Sequence, residues 1–275
     1  MQKLLAENKI RRDKLFGNYD PVTGVGSPMA RAPFTYSCNG MEISAMVPVD
    51  MLDHPFISIL NQSSIENVLD SNGIPRTPEN IVDLFSKVPD IRFDYDFEYW
   101  AYSCVKIQDK ETKKPIPFRL NNPQRNKLLM AFENSRLANK PIRVIVDKAR
   151  QWGGSTLTEI YMGWIQTRHR KAWHSVIVTQ VEEQARIIRE MYSRMAKNYP
   201  SRFGSISISP FAGSPKNKYV KERGCIISIG SVEKPDSLRS ADNAMAHLSE
   251  VGLWRDTPLK KAADLAQSLL STIPE

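Results

Sequence analysis

Apolar positions along the chain follow two different rhythms. Up to Pro123 they come in short, broken groups, such as Ile43–Met51 and His54–Leu60, interrupted by 11 of the chain's 18 prolines. Thr77-Pro78-Glu79-Asn80 carries a helix start signal, a hydroxyl N-cap with proline at the first helical position, and predicts a short helix there. Residues 1–94 read as an N-terminal region of short elements. Its first ~30 residues, basic and then rich in Gly and Pro, are expected to be mobile.

After Pro123 strands and helices alternate. Gln124 to Leu137 reads as a helix with Leu128, Leu129 and Phe132 on one face. The β-branched run Ile142-Arg143-Val144-Ile145-Val146 predicts a strand buried in a parallel sheet. From Ser155 to about Arg168, Leu157, Ile160, Tyr161, Trp164 and Ile165 repeat at helical spacing, predicting an amphipathic helix with one buried stripe. Ser175–Thr179 is a second strand and Val181–Asn198 a second helix. Cys225–Ile229 and Ala244–Leu248 are further strands, with a hairpin-like stretch before them. This order implies an α/β fold, a mostly parallel sheet with helices on its faces.

Composition narrows the class. The 275 residues are 41% apolar and 25% charged, as in a globular domain or two. No apolar run is long enough for a membrane helix, and the N-terminus lacks the apolar core of a secretory signal. Three widely separated cysteines build neither a disulfide framework nor a zinc cluster and fit a reducing cytoplasm. The net charge of +8 favours a polyanionic partner.

Candidate chemistry lies between the first predicted strand and its helix, in Lys148-Ala149-Arg150-Gln151-Trp152-Gly153-Gly154-Ser155-Thr156. On the frame of a phosphate loop, G-x-x-x-x-G-K-[ST], Gly153 is the second glycine and Ser155 the metal-binding hydroxyl. Gly154 stands where lysine is expected, and Lys148 stands at the first glycine. A lysine at that end still reaches phosphates, because the loop curls around them. The paired glycines allow close backbone approach, and the helix start offers its positive end. The plainer alternative is a tight strand–helix turn capped by Ser155. A nucleotide hydrolase of this type also needs a strand ending in acid. Ala244–Leu248 followed by Ser249-Glu250 fits, with serine in place of the first aspartate. Ser249 would meet a metal ion through water, and Glu250 would orient or deprotonate the attacking water. The alternative is an ordinary glutamate after an apolar strand.

These two departures together resemble one family, the large terminase subunit of tailed bacteriophages. Lys148–Thr156 looks like its variant Walker A loop, and His247-Leu248-Ser249-Glu250-Val251-Gly252-Leu253-Trp254 like its Walker B strand. Upstream, Asp96–Trp100, Val105-Lys106-Ile107, Pro117-Phe118-Arg119-Leu120 and Pro123-Gln124 are similar to the lead-in and glutamine motif of that ATPase. The resemblance covers about 95–275. It implies a phosphate-loop ATPase that uses ATP and Mg²⁺ to drive double-stranded DNA into a capsid. It further implies a ring docked on the portal, working with the small terminase subunit in the host cytoplasm. It places Gln124 against the adenine, and Lys148, Gln151, Gly153, Gly154, Ser155 and Thr156 around the phosphates. Arg150 becomes a candidate arginine finger, and Arg239 matches an arginine before the Walker B strand. The family's nuclease domain has no counterpart in this chain, so a truncated or split subunit is expected.

Alternatives stand beside each assignment. Arg150 could instead pair with Glu250 or Asp147, and Trp152 pack on the loop. His169 and His174 lack further metal ligands and suit a solvated helix end. Arg168–Lys171 and Lys216–Lys221 could meet DNA phosphates or simply be solvated. Functionally, the rivals are a helicase-like ATPase and a catalytically incomplete DNA- or portal-binding fragment.

Overall fold

The computed structural model describes residues 2–109, 112–147, 152–201, 206–211, 214–233, 242–256, 261–271 and 273. The chain divides into two units, Met1–Ser103 with Arg119–Trp152, and Cys104–Phe118 with Gly153–Glu275.

The first unit is more regular than its prolines suggest. After helix α1 (Gln2–Phe16), strands β1 (Arg31–Cys38) and β2 (Met41–Pro48) pair antiparallel over their whole length. Asn39 and Gly40 turn between them with φ of 49° and 74°. That left-handed pair is what a two-residue hairpin turn twisted to match its strands requires. Helices α2 (Pro55–Leu60), α3 (Ile65–Ser71) and α4 (Pro78–Tyr95) follow. Thr77 accepts from the Asn80 amide and Pro78 opens α4, as predicted, but the helix is 18 residues long. Phe34, Val47, Met51, Ile57, Leu60, Ile65 and Leu69 form the apolar core of this unit.

Helix α5 (Phe97–Cys104) begins beside a buried ionic cluster. The Arg31 guanidinium donates to both Asp96 oxygens at 2.7 and 2.8 Å and to Glu98 at 2.6 Å, and Arg92 also donates to Asp96. Burial alone would push the Asp96 carboxyl up. Arg31 and then Arg92 outweigh it and hold Asp96 below the usual carboxylate range. A π-helical turn at Gln124–Leu129 leads into α6 (Met130–Leu137), so the predicted helix over 124–137 is present, with its first turn widened.

One expectation fails here. Residues 141–147 are described, and they form no strand. Ile142, Val144 and Val146 are about 40% exposed, and Ile145 fully so. β-branched residues favour a pleated surface only when a neighbouring edge completes the ladder, and propensity supplies no edge.

The second unit holds the main sheet. It begins with the short antiparallel pair β3 (Lys106–Gln108) and β4 (Pro115–Pro117). Helix α7 (Gly154–Trp164), strand β5 (His174–Thr179) and helix α8 (Glu182–Asn198) follow. Next come β6 (Ile208–Phe211), β7 (Ser214–Val220), β8 (Cys225–Ser231), β9 (Asn243–Leu248) and α9 (Ala262–Leu270). The sheet order is β6-β7-β8-β5-β9. β8, β5 and β9 run parallel, while β6, β7 and β8 are antiparallel. The sheet is therefore mixed, only its β8-β5-β9 half matching the mostly parallel expectation. The antiparallel half follows from the β6–β7 hairpin, which returns the chain to start β8 parallel to β5. The unit is a mixed α/β layer with helices packed on the sheet. Val176 and Val178 of β5 form a buried cluster with Trp254, Leu265 and Leu269.

Helix α8 buries Ala185, Ile188, Tyr192 and Met195 along one face, the amphipathic pattern expected of a helix lying on a sheet. Helix α7 departs from its predicted single stripe. Leu157, Ile160, Tyr161 and Trp164 are buried as the spacing implies, but so are Glu159, Met162 and Gly163. It is an enclosed helix. Among the described residues no helix is long and apolar enough to cross a membrane.

Candidate functional site

Four of the proposed positions, Lys148, Arg150, Gln151 and Arg239, lie outside the described residues. The rest of the candidate site can be built from the elements that hold it.

Gly153 is the N-cap of α7 and has φ of 81° and ψ of 21°. A side chain would be strained in that left-handed conformation, so glycine lets the chain turn sharply into the helix. The Gly153 carbonyl accepts from the Leu157 amide at 3.1 Å, and the Thr158 hydroxyl donates back to the Gly154 carbonyl. Among the described residues no side chain caps the helix start. The first-turn amides, at the positive end of an enclosed 11-residue helix, suit an anion.

Strand β9 ends against this helix start. The Ser249 amide donates to the Val178 carbonyl at 2.8 Å, which prolongs the parallel β5–β9 ladder by one step. The Ser249 hydroxyl then lies 3.4 Å from the Ser155 hydroxyl, although 94 residues separate them in sequence. Trp254 donates its indole N–H to the Ser249 carbonyl at 2.9 Å and is itself buried, so the segment after the strand folds back and clamps position 249. Glu250, between them, has φ of 57° and ψ of 37°. Gln184, near the start of α8, donates to its Oε2 at 3.1 Å. Gly153, Gly154, Ser155, Thr156, Ser249 and Glu250 therefore all belong to one unit, with Ser155 and Ser249 in direct approach.

Gln124 belongs to the first unit. It is buried, its side-chain carbonyl accepts from the Asn121 amide, and its own amide donates to the Asn121 side chain, each at 2.9 Å. Asn121 in turn donates to the Trp152 carbonyl at 3.0 Å. Through Asn121 this reciprocal pair holds Trp152, immediately before Gly153 in the chain.

One pair was not singled out by the motifs. Glu159 lies one turn along α7 from Ser155, and His247 lies two residues before Ser249 on β9, so each shares a face with its serine. Oε1 of Glu159 and Nδ1 of His247 approach to 3.4 Å, with side chains 3% and 14% exposed. The two are electrostatic neighbours without the alignment of a hydrogen bond. Burial pushes the Glu159 carboxyl above its usual range, and His247 offsets only part of that. The signal for this pair in the sequence is a glutamate inside the apolar run Leu157–Trp164.

A cavity of about 320 Å³ lies in the first unit, lined by Arg31, Asp50, Glu98, Glu133 and Arg136 among others. None of the predicted site residues lines it. His169 sits edge-on to Trp164, and the Ile226 amide donates to His174 Nδ1; among the described residues no group of three metal-ligating side chains gathers. The chain matches no protein-family model and no curated protein.

Proposed function

We propose that the chain is a phosphate-loop ATPase of the terminase large-subunit type, coupling ATP hydrolysis to movement of double-stranded DNA. The observation that supports this most is the approach of Ser155 to Ser249, which joins the loop motif to the acidic strand end. The residues present suit a bound nucleotide with magnesium. Gly153 opens the backbone at the positive end of α7, and two hydroxyls stand together with Glu250 next in the chain. Magnesium, when bound, would neutralise charge on the phosphate oxygens.

The protein's own groups then have separable tasks. The α7 amides and Lys148 hold phosphate; Ser155 and Ser249 offer neutral oxygens to the metal or its waters. Glu250, with one oxygen fixed by Gln184, accepts the proton of the attacking water. Because Ser249 brings no charge, retention of magnesium falls mainly to Ser155 and the nucleotide.

Two variants test this together. Lys148→Ala should abolish ATP turnover with an unchanged circular dichroism spectrum. Glu250→Gln should lower hydrolysis by at least ~10²-fold, the size of a lost general base, with ATP affinity little changed. Full turnover by a folded Lys148→Ala protein would overturn the loop assignment. If affinity and rate fall in step in Glu250→Gln, Glu250 holds the metal or the fold and does not act on water.

A further inference from the structure

Two basic stretches far apart in sequence meet at one end of the sheet. β5 and β8 are parallel neighbours, with Ser175 opposite Ile227, so the chain enters both strands from the same end. The entrance to β5 carries Arg168, Arg170 and Lys171, and the entrance to β8 carries Lys221 and Arg223. Backbone and side chain lock the two together. The Arg223 guanidinium donates to the carbonyls of Arg170 at 3.2 Å and Arg168 at 3.0 Å, and the Ala172 amide donates to the Arg223 carbonyl at 2.9 Å. Arg170 is exposed, its guanidinium 4.7 Å from the centre of the Trp173 ring.

Lys171 and Lys221 are exposed and carry no ion pair among the described residues. The neighbouring carboxylates are Glu222, whose oxygens accept from the Ser207 amide, and Asp242, exposed at the entrance to β9. A surface that gathers like charges and then fixes them with Arg223 resists its own repulsion, which suits it to a polyanion. The candidate phosphate site lies at the other end of the same strands, where β9 finishes at Ser249.

We propose that this face, centred on Arg170, Lys171, Lys221 and Arg223, binds the backbone of double-stranded DNA. The choice of DNA rests on the function proposed above; the face itself does not depend on the nucleotide site. Trp173 lies under the Arg170 guanidinium and is not offered as an open platform on which single-stranded bases would stack. The contact is with phosphates and is indifferent to sequence.

The test is the salt dependence of binding to one labelled duplex and its scrambled version. Each phosphate contact contributes about 0.9 to the slope of log K against log salt. Lys171→Glu with Lys221→Glu should flatten the slope by about 1.8 and weaken binding at low salt by roughly 10-fold or more. The control changes the same charge elsewhere, at exposed Lys127 and Lys140, both to Glu. It should leave the slope nearly intact. DNA-independent ATP turnover should persist in both double variants, and Lys148→Ala should keep the wild-type slope while losing turnover. Equal flattening by the control pair would overturn the face, reducing binding to net charge. Tighter binding to single strands or to anionic vesicles than to the duplex would overturn the choice of partner. A lost turnover in Lys148→Ala with an unaltered slope in the Lys171/Lys221 variant would sink this inference alone.

Discussion

Glu159 is the residue where burial and chemistry conflict most directly. A carboxyl enclosed in α7 with one histidine nearby resists ionisation, and its affinity for a proton is raised by burial, less a smaller contribution from His247. The sign of the linkage follows. The folded chain keeps this proton to higher pH than the unfolded chain does. The group's stabilising contribution is therefore complete below the unfolded carboxyl's pKa and disappears as pH rises through the raised one. Glu159→Gln removes the titration while keeping the size. Its stability relative to wild type should improve as pH rises above the ordinary carboxyl range, measured as the shift in urea midpoint. A difference that stays constant as pH rises would mean that burial does not hold the Glu159 proton in the native state.

Elements show where local sequence is sufficient and where it is not. The asparagine–glycine turn makes the β1–β2 hairpin from two residues. Nothing lies within 4 Å of where a Gly40 Cβ would stand, so a substitution there meets only the backbone cost of φ at +74°. Gly40→Ala should destabilise by about 1–2 kcal/mol, whereas Gly252→Ala, which also has open space but no left-handed φ, should be near neutral or slightly stabilising. Equal losses in denaturant melts would contradict the turn. Helix α8 and strands β5, β8 and β9 were legible because their apolar spacing matches what they bury, and α7 was legible as a helix although it buries more than its predicted stripe. The β1–β2 hairpin was missed, because the density of prolines around its Asn39-Gly40 turn points toward irregular structure. The run at 142–146 was misleading, since its composition promises a strand and no edge receives it. At the site, the glycine at the start of α7 and the serine at the end of β9 could be read from residue types. The left-handed backbone at Glu250, the donor Gln184 and the Glu159–His247 pair could not, because each depends on which element lies alongside.

Across the whole molecule the three cysteines act as built-in reporters. Cys38 lies in the first unit, Cys104 and Cys225 in the second, and all three are buried and free. Burial pushes the Cys38 and Cys225 thiols up, with Glu66 adding to the effect at Cys38, so little reactive thiolate is present at neutral pH. A thiol reagent should modify the native chain at least ~10²-fold more slowly than the denatured one, equivalent to about 3 kcal/mol for opening. In graded urea, labelling at Cys38 and Cys225 should give the stability of each unit separately. Fast labelling of Cys225 in native buffer would contradict the packing of β8. The exposed run at Ile142–Val146 has a practical consequence for keeping the protein in solution. Four β-branched side chains without a ladder form a ready nucleus for pairing between molecules, guarded locally by Pro141, Arg143 and Asp147. Mutual repulsion from the +8 charge reaches only about 10 Å at 0.1 M salt and shrinks further above it. Shelf life will therefore shorten as ionic strength rises, and the first fibrils to form will carry this pentapeptide in their spine.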